Sequence, residues 1–214
     1  MKTLLTLLLT LSICSGRDLI INILNPTTDT PREAFLVQDR FVTPVDIPKR
    51  NFSPKVTIPA GDLSLSLVAK LPPKGEPIPS NAPKIQIPAD WQAVIVILLA
   101  DDSNDIFPVR PLVLNADRSG FSDGKILACN FSKTPIISHL EDRSTKVYPG
   151  KFSILNPPKG EGTYGVTIER LIENKPLPLF SGKWRSYSDR KQILFITPSN
   201  RPGKPRVKSL MLPL

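Results

Sequence analysis

Residues 93–100 read Ala-Val-Ile-Val-Ile-Leu-Leu-Ala, a short and continuously apolar run that is rich in β-branched side chains. Pro88 precedes this run, and the polar sequence DDSND follows it at residues 101–105. The short length and these two boundaries favour a strand over a buried helix. Since the run has no polar face, it predicts a central strand that is covered on both sides of its sheet.

Other segments carry weaker versions of the same signal. Leucine alternates with serine in the sequence LSLSL at residues 63–67, and this period of two predicts a strand with one buried face. Further apolar or β-branched segments occupy residues 19–24, 85–87, 126–131, 152–155, 164–168 and 193–196. Residues 32–41 and 168–174 fit either a strand or one to two turns of helix. Turn signals rich in Pro, Gly, Asn and Asp separate these segments, and this pattern predicts an all-β chain, an antiparallel β-sandwich with very little helix.

The composition supports this class. The chain has 24 prolines among 214 residues, about twice the usual share of about 5%. An interior proline removes a helix hydrogen bond and clashes with the preceding turn, which argues against an all-helical protein. The hydrophobic fraction of 40% is sufficient for a core. A disordered chain, a coiled coil and a collagen are therefore excluded.

An internal similarity suggests a duplication. Residues 53–61 (SPKVTIPAG) precede the segment LSL, and residues 144–150 (STKVYPG) precede the segment FSI. We therefore predict two Ig-like β-sandwich modules in tandem, each near the usual size of about 100 residues. Their predicted bounds are 17–115 and 116–214, with the boundary in the polar loop at 115–123. The alternative is one larger β-sandwich over residues 17–214.

The N-terminus has the layout of a secretory signal peptide. Lys2 is followed by an apolar segment at residues 4–13, by the small residues Ser15 and Gly16, and then by Arg17. We predict a signal peptide over residues 1–16, with no transmembrane span after its cleavage. The alternative is lipidation of Cys14 at a site that resembles a bacterial lipobox, although Ile13 departs from that pattern. Either prediction places the protein outside the cytoplasm: periplasmic, secreted or tethered to a membrane.

Few residues carry the signature of catalysis or metal binding. Cys129 would be the lone cysteine of the mature chain, and its apolar neighbours predict a small buried side chain rather than a reactive thiol. The single histidine, His139, is predicted to lie at the surface or a strand edge. The run from Asp101 to Asp105 resembles the start of a calcium loop but lacks that loop's later glycine and acid, so a solvated turn is favoured. No cofactor, metal site or catalytic residue is predicted.

The charge indicates the kind of partner. The formal net charge is +9, and a basic surface attracts anionic polymers. No nucleic-acid-binding motif is present, so the predicted partner is an anionic envelope polymer, a polysaccharide or another protein. The candidate ligand-binding residues are Trp184, Arg185, Tyr187 and Arg190, because arginines and aromatic rings together grip anionic groups and stack on sugars. The alternative places Trp184 in the core and pairs Asp189 with a nearby arginine.

These observations favour a non-enzymatic, exported β-sandwich protein that binds or scaffolds at the cell envelope or an extracellular surface. The alternative is a secreted carbohydrate-binding or hydrolytic protein with its site near Trp184–Arg190. Hydrolysis would require a cleft with a carboxylate pair, or His139 beside an acid and a nucleophile. A third interpretation uses residues 93–100 or 193–196 as an open sheet edge for a partner strand.

Overall fold

The computed structural model describes residues 16–24, 26, 30–160, 162–199 and 204–213. The predicted signal peptide, apart from Gly16, and the candidate lipidation site Cys14 lie outside these residues. Every regular element in the described part of the chain is a β-strand. The all-β prediction is therefore confirmed.

The first half of the chain forms eight strands in two sheets. In chain order they are β1 (Arg17–Leu24), β2 (Glu33–Gln38), β3 (Phe41–Asp46), β4 (Val56–Ile58), β5 (Leu63–Val68), β6 (Lys84–Ile87), β7 (Ala93–Ala100) and β8 (Val109–Asn115). One sheet has the order β4-β1-β7-β8 and the other has the order β3-β2-β5-β6. The predicted strand at residues 93–100 is thus β7, a central strand between β1 and β8.

The second half forms eight more strands, again in two sheets. They are β9 (Ile126–Asn130), β10 (Ile136–Leu140), β11 (Arg143–Val147), β12 (Phe152–Leu155), β13 (Gly162–Ile172), β14 (Lys175–Ser186), β15 (Gln192–Thr197) and β16 (Arg206–Met211). Their orders are β12-β9-β15-β16 and β11-β10-β13-β14.

The strand order of the first half recurs in the second. Adding eight to each strand number of the first two sheets gives the orders of the other two. The pair β1–β7 is parallel, and so is the equivalent pair β9–β15. The prediction of purely antiparallel sheets is therefore wrong for two of the four sheets. The similarity between residues 53–61 and 144–150 does not follow the recurrence, because it matches β4 with β11 whereas the topology matches β4 with β12.

The two segments for which helical turns were considered form hairpins. Residues 32–41 run through β2 and turn into β3, and Asp39 adopts a left-handed φ of 49° between the two strands. Residues 168–174 end β13 and turn at Glu173 and Asn174, whose φ angles are 50° and 63°. Two successive residues with positive φ are typical of the tight turns whose twist matches that of paired strands.

The central strands are covered on both faces. In β7, Val94, Val96 and Leu98 face the sheet β3-β2-β5-β6, and their cluster draws side chains from both sheets. The alternate residues Ile95 and Ile97 join a second cluster with side chains of the sheet β12-β9-β15-β16. Continuous apolarity is explained in this way, because each face of β7 meets a different layer.

The four sheets form a stack of layers. A third cluster joins β12-β9-β15-β16 to β11-β10-β13-β14 through Leu194, Ile196 and Ile168. The two mixed sheets, those with the parallel pairs, lie in the middle and share the second cluster, which we call the shared core. Since β7 and β15 both lie between two neighbouring strands, neither offers an open edge, and the edge-pairing interpretation of residues 93–100 and 193–196 is wrong.

Candidate functional site

Three of the four predicted ligand-binding residues lie together at the end of β14. Arg185 is the penultimate residue of that strand, whereas Tyr187 and Arg190 belong to the connection that leads to β15. The guanidinium carbons of Arg185 and Arg190 each lie 5.9 Å from the centre of the Tyr187 ring. Both arginines are exposed and Tyr187 is half-buried. We call these three residues the arginine–tyrosine cluster.

Trp184 does not belong to this cluster. Successive side chains of a strand point to opposite faces, so Trp184 faces inward where Arg185 faces outward. Its ring lies 5.6 Å from that of Phe180 and packs against the third apolar cluster. The Nε atom of Arg190 lies 3.7 Å from an oxygen of Asp189. Trp184 thus lies half-buried against the core and Asp189 lies beside Arg190, as the alternative interpretation describes, and ligand binding by the four residues stays a prediction.

A cleft of about 320 Å³ lies beside the arginine–tyrosine cluster, and Asp189 and Arg190 form part of its wall. Its polar walls also carry three aspartates and two lysines, so we call it the aspartate cleft: Asp18, Lys55, Asp117, Asp123 and Lys191. Lys55 lies 3.5 Å from Asp18 and Lys191 lies 3.2 Å from Asp117. Because these pairs balance one another, the cleft has no strong excess of either charge.

His139 has two polar partners. Its Nδ1 atom lies 2.7 Å from the Ser144 hydroxyl and its Nε2 atom lies 2.9 Å from a Glu169 carboxylate oxygen. The three residues lie on β10, β11 and β13, on the outer face of one sheet. The prediction of a surface position is correct, but the partners were missed. Ser144 could have been found from the β10–β11 hairpin spacing, whereas the position of Glu169 depends on a pairing 30 residues away.

This arrangement differs from a catalytic triad in two respects. In the triad the serine contacts Nε2 and the acid contacts Nδ1, so the roles of the two ring nitrogens are reversed here. The side chains of His139 and Glu169 are 34% and 23% exposed. They line neither the aspartate cleft nor the second cleft of the protein, which has a volume of about 1360 Å³. A water-excluding site with preorganised oxyanion donors is the usual setting of acyl transfer.

The remaining candidates have structural roles. Cys129 is buried in the shared core, and burial raises the pKa of its thiol far above the ordinary range, as expected of an inert side chain. In the turn after β7, an Asp101 oxygen accepts bonds from the Ser103 hydroxyl and amide, which lower the pKa of the Asp101 carboxyl. Asn104 caps the same turn by accepting from the amides of Ile106 and Phe107. The described residues contain no group of His, Cys, Asp or Glu side chains placed to hold a metal.

Comparison of the chain with models of known protein families and with curated proteins finds no match. Over the described residues, no helix has the length and hydropathy that a membrane crossing requires.

Proposed function

We propose that this chain is an exported, non-enzymatic protein that binds an anionic envelope polymer through the arginine–tyrosine cluster. The observation that supports the proposal is that the guanidinium carbons of Arg185 and Arg190 each lie 5.9 Å from the centre of the Tyr187 ring, with Arg190 also in the wall of the aspartate cleft. A planar guanidinium can donate two parallel hydrogen bonds to a carboxylate or phosphate. The half-buried Tyr187 ring adds aromatic surface against which a sugar can pack, so an acidic polysaccharide suits the cluster.

The proposed architecture is two β-sandwich modules in tandem, over residues 17–115 and 116–214. The recurrence of strand order supports it, as do the two apolar clusters that each join one pair of sheets. The connection from Asn115 to Ile126 joins β8 to β9 and contains the proposed boundary. The Ig-like class stays a prediction, because each half has eight strands and a parallel pair, whereas immunoglobulin domains are built from antiparallel sheets of seven or nine strands.

The proposed location is outside the cytoplasm, after removal of a signal peptide near Ser15 or Gly16. Arg17 would then lie at the start of the mature chain, and it is already the first residue of β1. Lipidation of Cys14 is the alternative, and intact-mass measurement of the mature protein distinguishes the two. The net charge of +9, to which the predicted signal peptide contributes only Lys2, supports long-range attraction to an anionic surface.

The test is binding to immobilised polygalacturonate, a polymer of uronic acids, with neutral dextran as the comparison surface. We expect saturable binding that weakens with salt, because counter-ions screen exposed charges. The double variant R185Q/R190Q should weaken binding about tenfold or more, since charge-assisted hydrogen bonds each contribute about 1.5–3 kcal/mol. The matched control K74Q/K175Q removes two exposed lysines, one of them at the opposite end of β14 from Arg185, and should retain nearly full affinity. Equal affinity of the two double variants would refute the assignment of this surface.

A second candidate function, hydrolysis, is favoured by one observation, the contact of His139 with both Ser144 and Glu169. In that function Ser144 would be the nucleophile and His139 its general base. A fluorophosphonate probe tests it, because it labels activated serines covalently. The non-enzymatic proposal expects no labelling of Ser144, and labelling that disappears in H139A would overturn it.

A further inference from the structure

A second and larger cleft opens at the opposite end of the seam between the two mixed sheets. Its volume is about 1360 Å³, and it lies where β1, β7 and β15 end, whereas the aspartate cleft lies where they begin. The polar and charged walls come from both halves of the chain: Lys49, Asp102, Arg110, Thr197, Ser199, Arg206 and Lys208. We call it the basic cleft.

The alternation of side chains along two strands brings the cations together. In β8, Arg110 points to the same side as Leu114, which belongs to the shared core. In β16, Arg206 and Lys208 point to the same side as Leu210, another member of that core. The interface between the two mixed sheets is apolar along the shared core. At this end of the interface, cations from the two facing sheets line one cavity instead.

Lys208 is half-buried, whereas Arg110 and Arg206 are exposed. The Lys208 ammonium group donates to the Asn22 side-chain oxygen at 3.4 Å and to the Lys49 carbonyl at 3.2 Å. Asn22 is fully buried, and its amide nitrogen donates to the Asn51 carbonyl at 2.5 Å, which orients its oxygen towards Lys208. Both acceptors are neutral, and desolvation lowers the pKa of Lys208. An anion in the cleft would stabilise this charged group.

The acidic side chains near the cleft are few. Asp102 is the only acidic residue among the described residues that line it. Asp101, just outside the lining, lies within electrostatic range of Arg110. Four cationic side chains line the cleft and outnumber these two carboxylates, so the cleft has an excess of positive charge: Lys49, Arg110, Arg206 and Lys208.

The remaining lining is apolar. Leu24, Leu99 and Val207 contribute aliphatic surface, and Phe131 contributes an aromatic ring. The Phe131 ring is held in place by a stacked contact with Phe195 at 6.3 Å and an edge contact with Phe152 at 6.2 Å. A concave, partly apolar site with a few convergent polar groups is the usual form of a small-molecule site.

We propose that the basic cleft binds an anionic amphiphile, a molecule with a hydrocarbon chain and a phosphate head group. The head group contacts Arg110, Arg206 and Lys208, and the chain lies along Leu24, Leu99 and Phe131. This site is separate from the arginine–tyrosine cluster and lies at the other end of the seam. Its test can therefore fail or succeed independently of polymer binding.

The experiment is isothermal titration calorimetry of the full mature protein with dodecyl phosphate below its micelle concentration. Inorganic phosphate represents the head group alone, and dodecyl maltoside represents the chain with a neutral head. We expect saturable binding of dodecyl phosphate, with an affinity at least about tenfold higher than that of either comparison ligand, because both parts of the site contribute.

The variant R110Q/R206Q removes two exposed cations of the cleft and leaves the shared core intact. It should weaken dodecyl phosphate binding about tenfold or more, whereas the charge-matched control K74Q/K159Q should bind as the wild type does. Thermal unfolding of both variants checks that each is folded. Absence of saturable binding by the wild type would overturn the proposal. So would equal affinity of the two variants, or equal binding of dodecyl maltoside.

Discussion

The side chain of Arg17 should be among the most important for stability. The residue is only 1% exposed, and its guanidinium group donates to four backbone carbonyls. The Nε atom donates to Pro59 at 3.1 Å, and one terminal nitrogen donates to Pro88 at 2.6 Å and to Trp91 at 3.1 Å. The other terminal nitrogen donates to Gly61. Arg17 thereby fastens the start of β1 to the turn after β4 and to the turn before β7.

The variant R17M keeps an apolar side chain of similar length and removes every side-chain donor. Four carbonyl oxygens then lose the guanidinium donor, and about 1 kcal/mol for each hydrogen bond gives about 4 kcal/mol. Relief from burying a charge offsets part of this loss. We therefore expect R17M to lower the free energy of unfolding by about 3 kcal/mol or more. R17K keeps the charge but concentrates its donors on one atom, so it should fall between R17M and wild type.

Urea unfolding followed by far-UV circular dichroism measures the effect. With a denaturant slope of about 2–3 kcal/mol/M, reasonable for a chain of this size, the midpoint should move by about 1 M or more. The control is R50M, at an exposed arginine, where a change within about 0.5 kcal/mol is expected. A loss below about 1 kcal/mol for R17M would contradict this expectation, since the four hydrogen bonds of the guanidinium group could not then contribute about 1 kcal/mol each.

Three further predictions concern the core. The variant I95A leaves a cavity in the shared core, so its free energy of unfolding should fall by about 2–5 kcal/mol; an unchanged urea midpoint would show that the two mixed sheets do not pack there. Burial raises the pKa of Tyr164 to about 12 from an ordinary value near 10. Since the unfolded chain ionises first, the melting temperature of wild type should fall between pH 10 and 12 more than that of Y164F, and parallel pH profiles would contradict this. The Cys129 thiol should resist Ellman's reagent in the native protein and react after unfolding, because burial raises its pKa; rapid native labelling would contradict the described packing.

The sequence predicted local features of the fold better than the pairing between distant strands. The apolar run of β7 correctly indicated a central strand covered on both faces, because apolar side chains on both faces of a strand must all be buried. It could not indicate that β1 pairs with β7 in parallel, since neither strand encodes the direction of a partner that is 75 residues away in the chain. Nor could it indicate that one covering layer comes from the other half of the chain.

The candidate site was predicted in part for the same reason. A cluster of arginines and aromatics near residues 184–190 was visible as composition, and alternation along the strand separates Trp184 from Arg185. Because β14 ends at Ser186, Tyr187 and Arg190 belong to the connection that follows it. The path of this connection brings Arg190 close to Tyr187, and the sequence does not predict that path. The basic cleft has no local sequence pattern, because Arg110 and Lys208 are far apart in the sequence and line the same cleft only in the folded chain.

The shared core has a consequence for any attempt to divide the chain. A fragment that ends at Asn115 would present Ile20, Ile95 and Ile97 to water as one face of an otherwise finished sheet. Such an exposed apolar face promotes association with other protein surfaces, so two fragments would associate through it at high concentration. In the intact chain the connection from β8 to β9 supplies the matching face at a local concentration of millimolar order. Each half thus has a permanent, built-in partner, and assembly of the stack does not depend on how much protein is present.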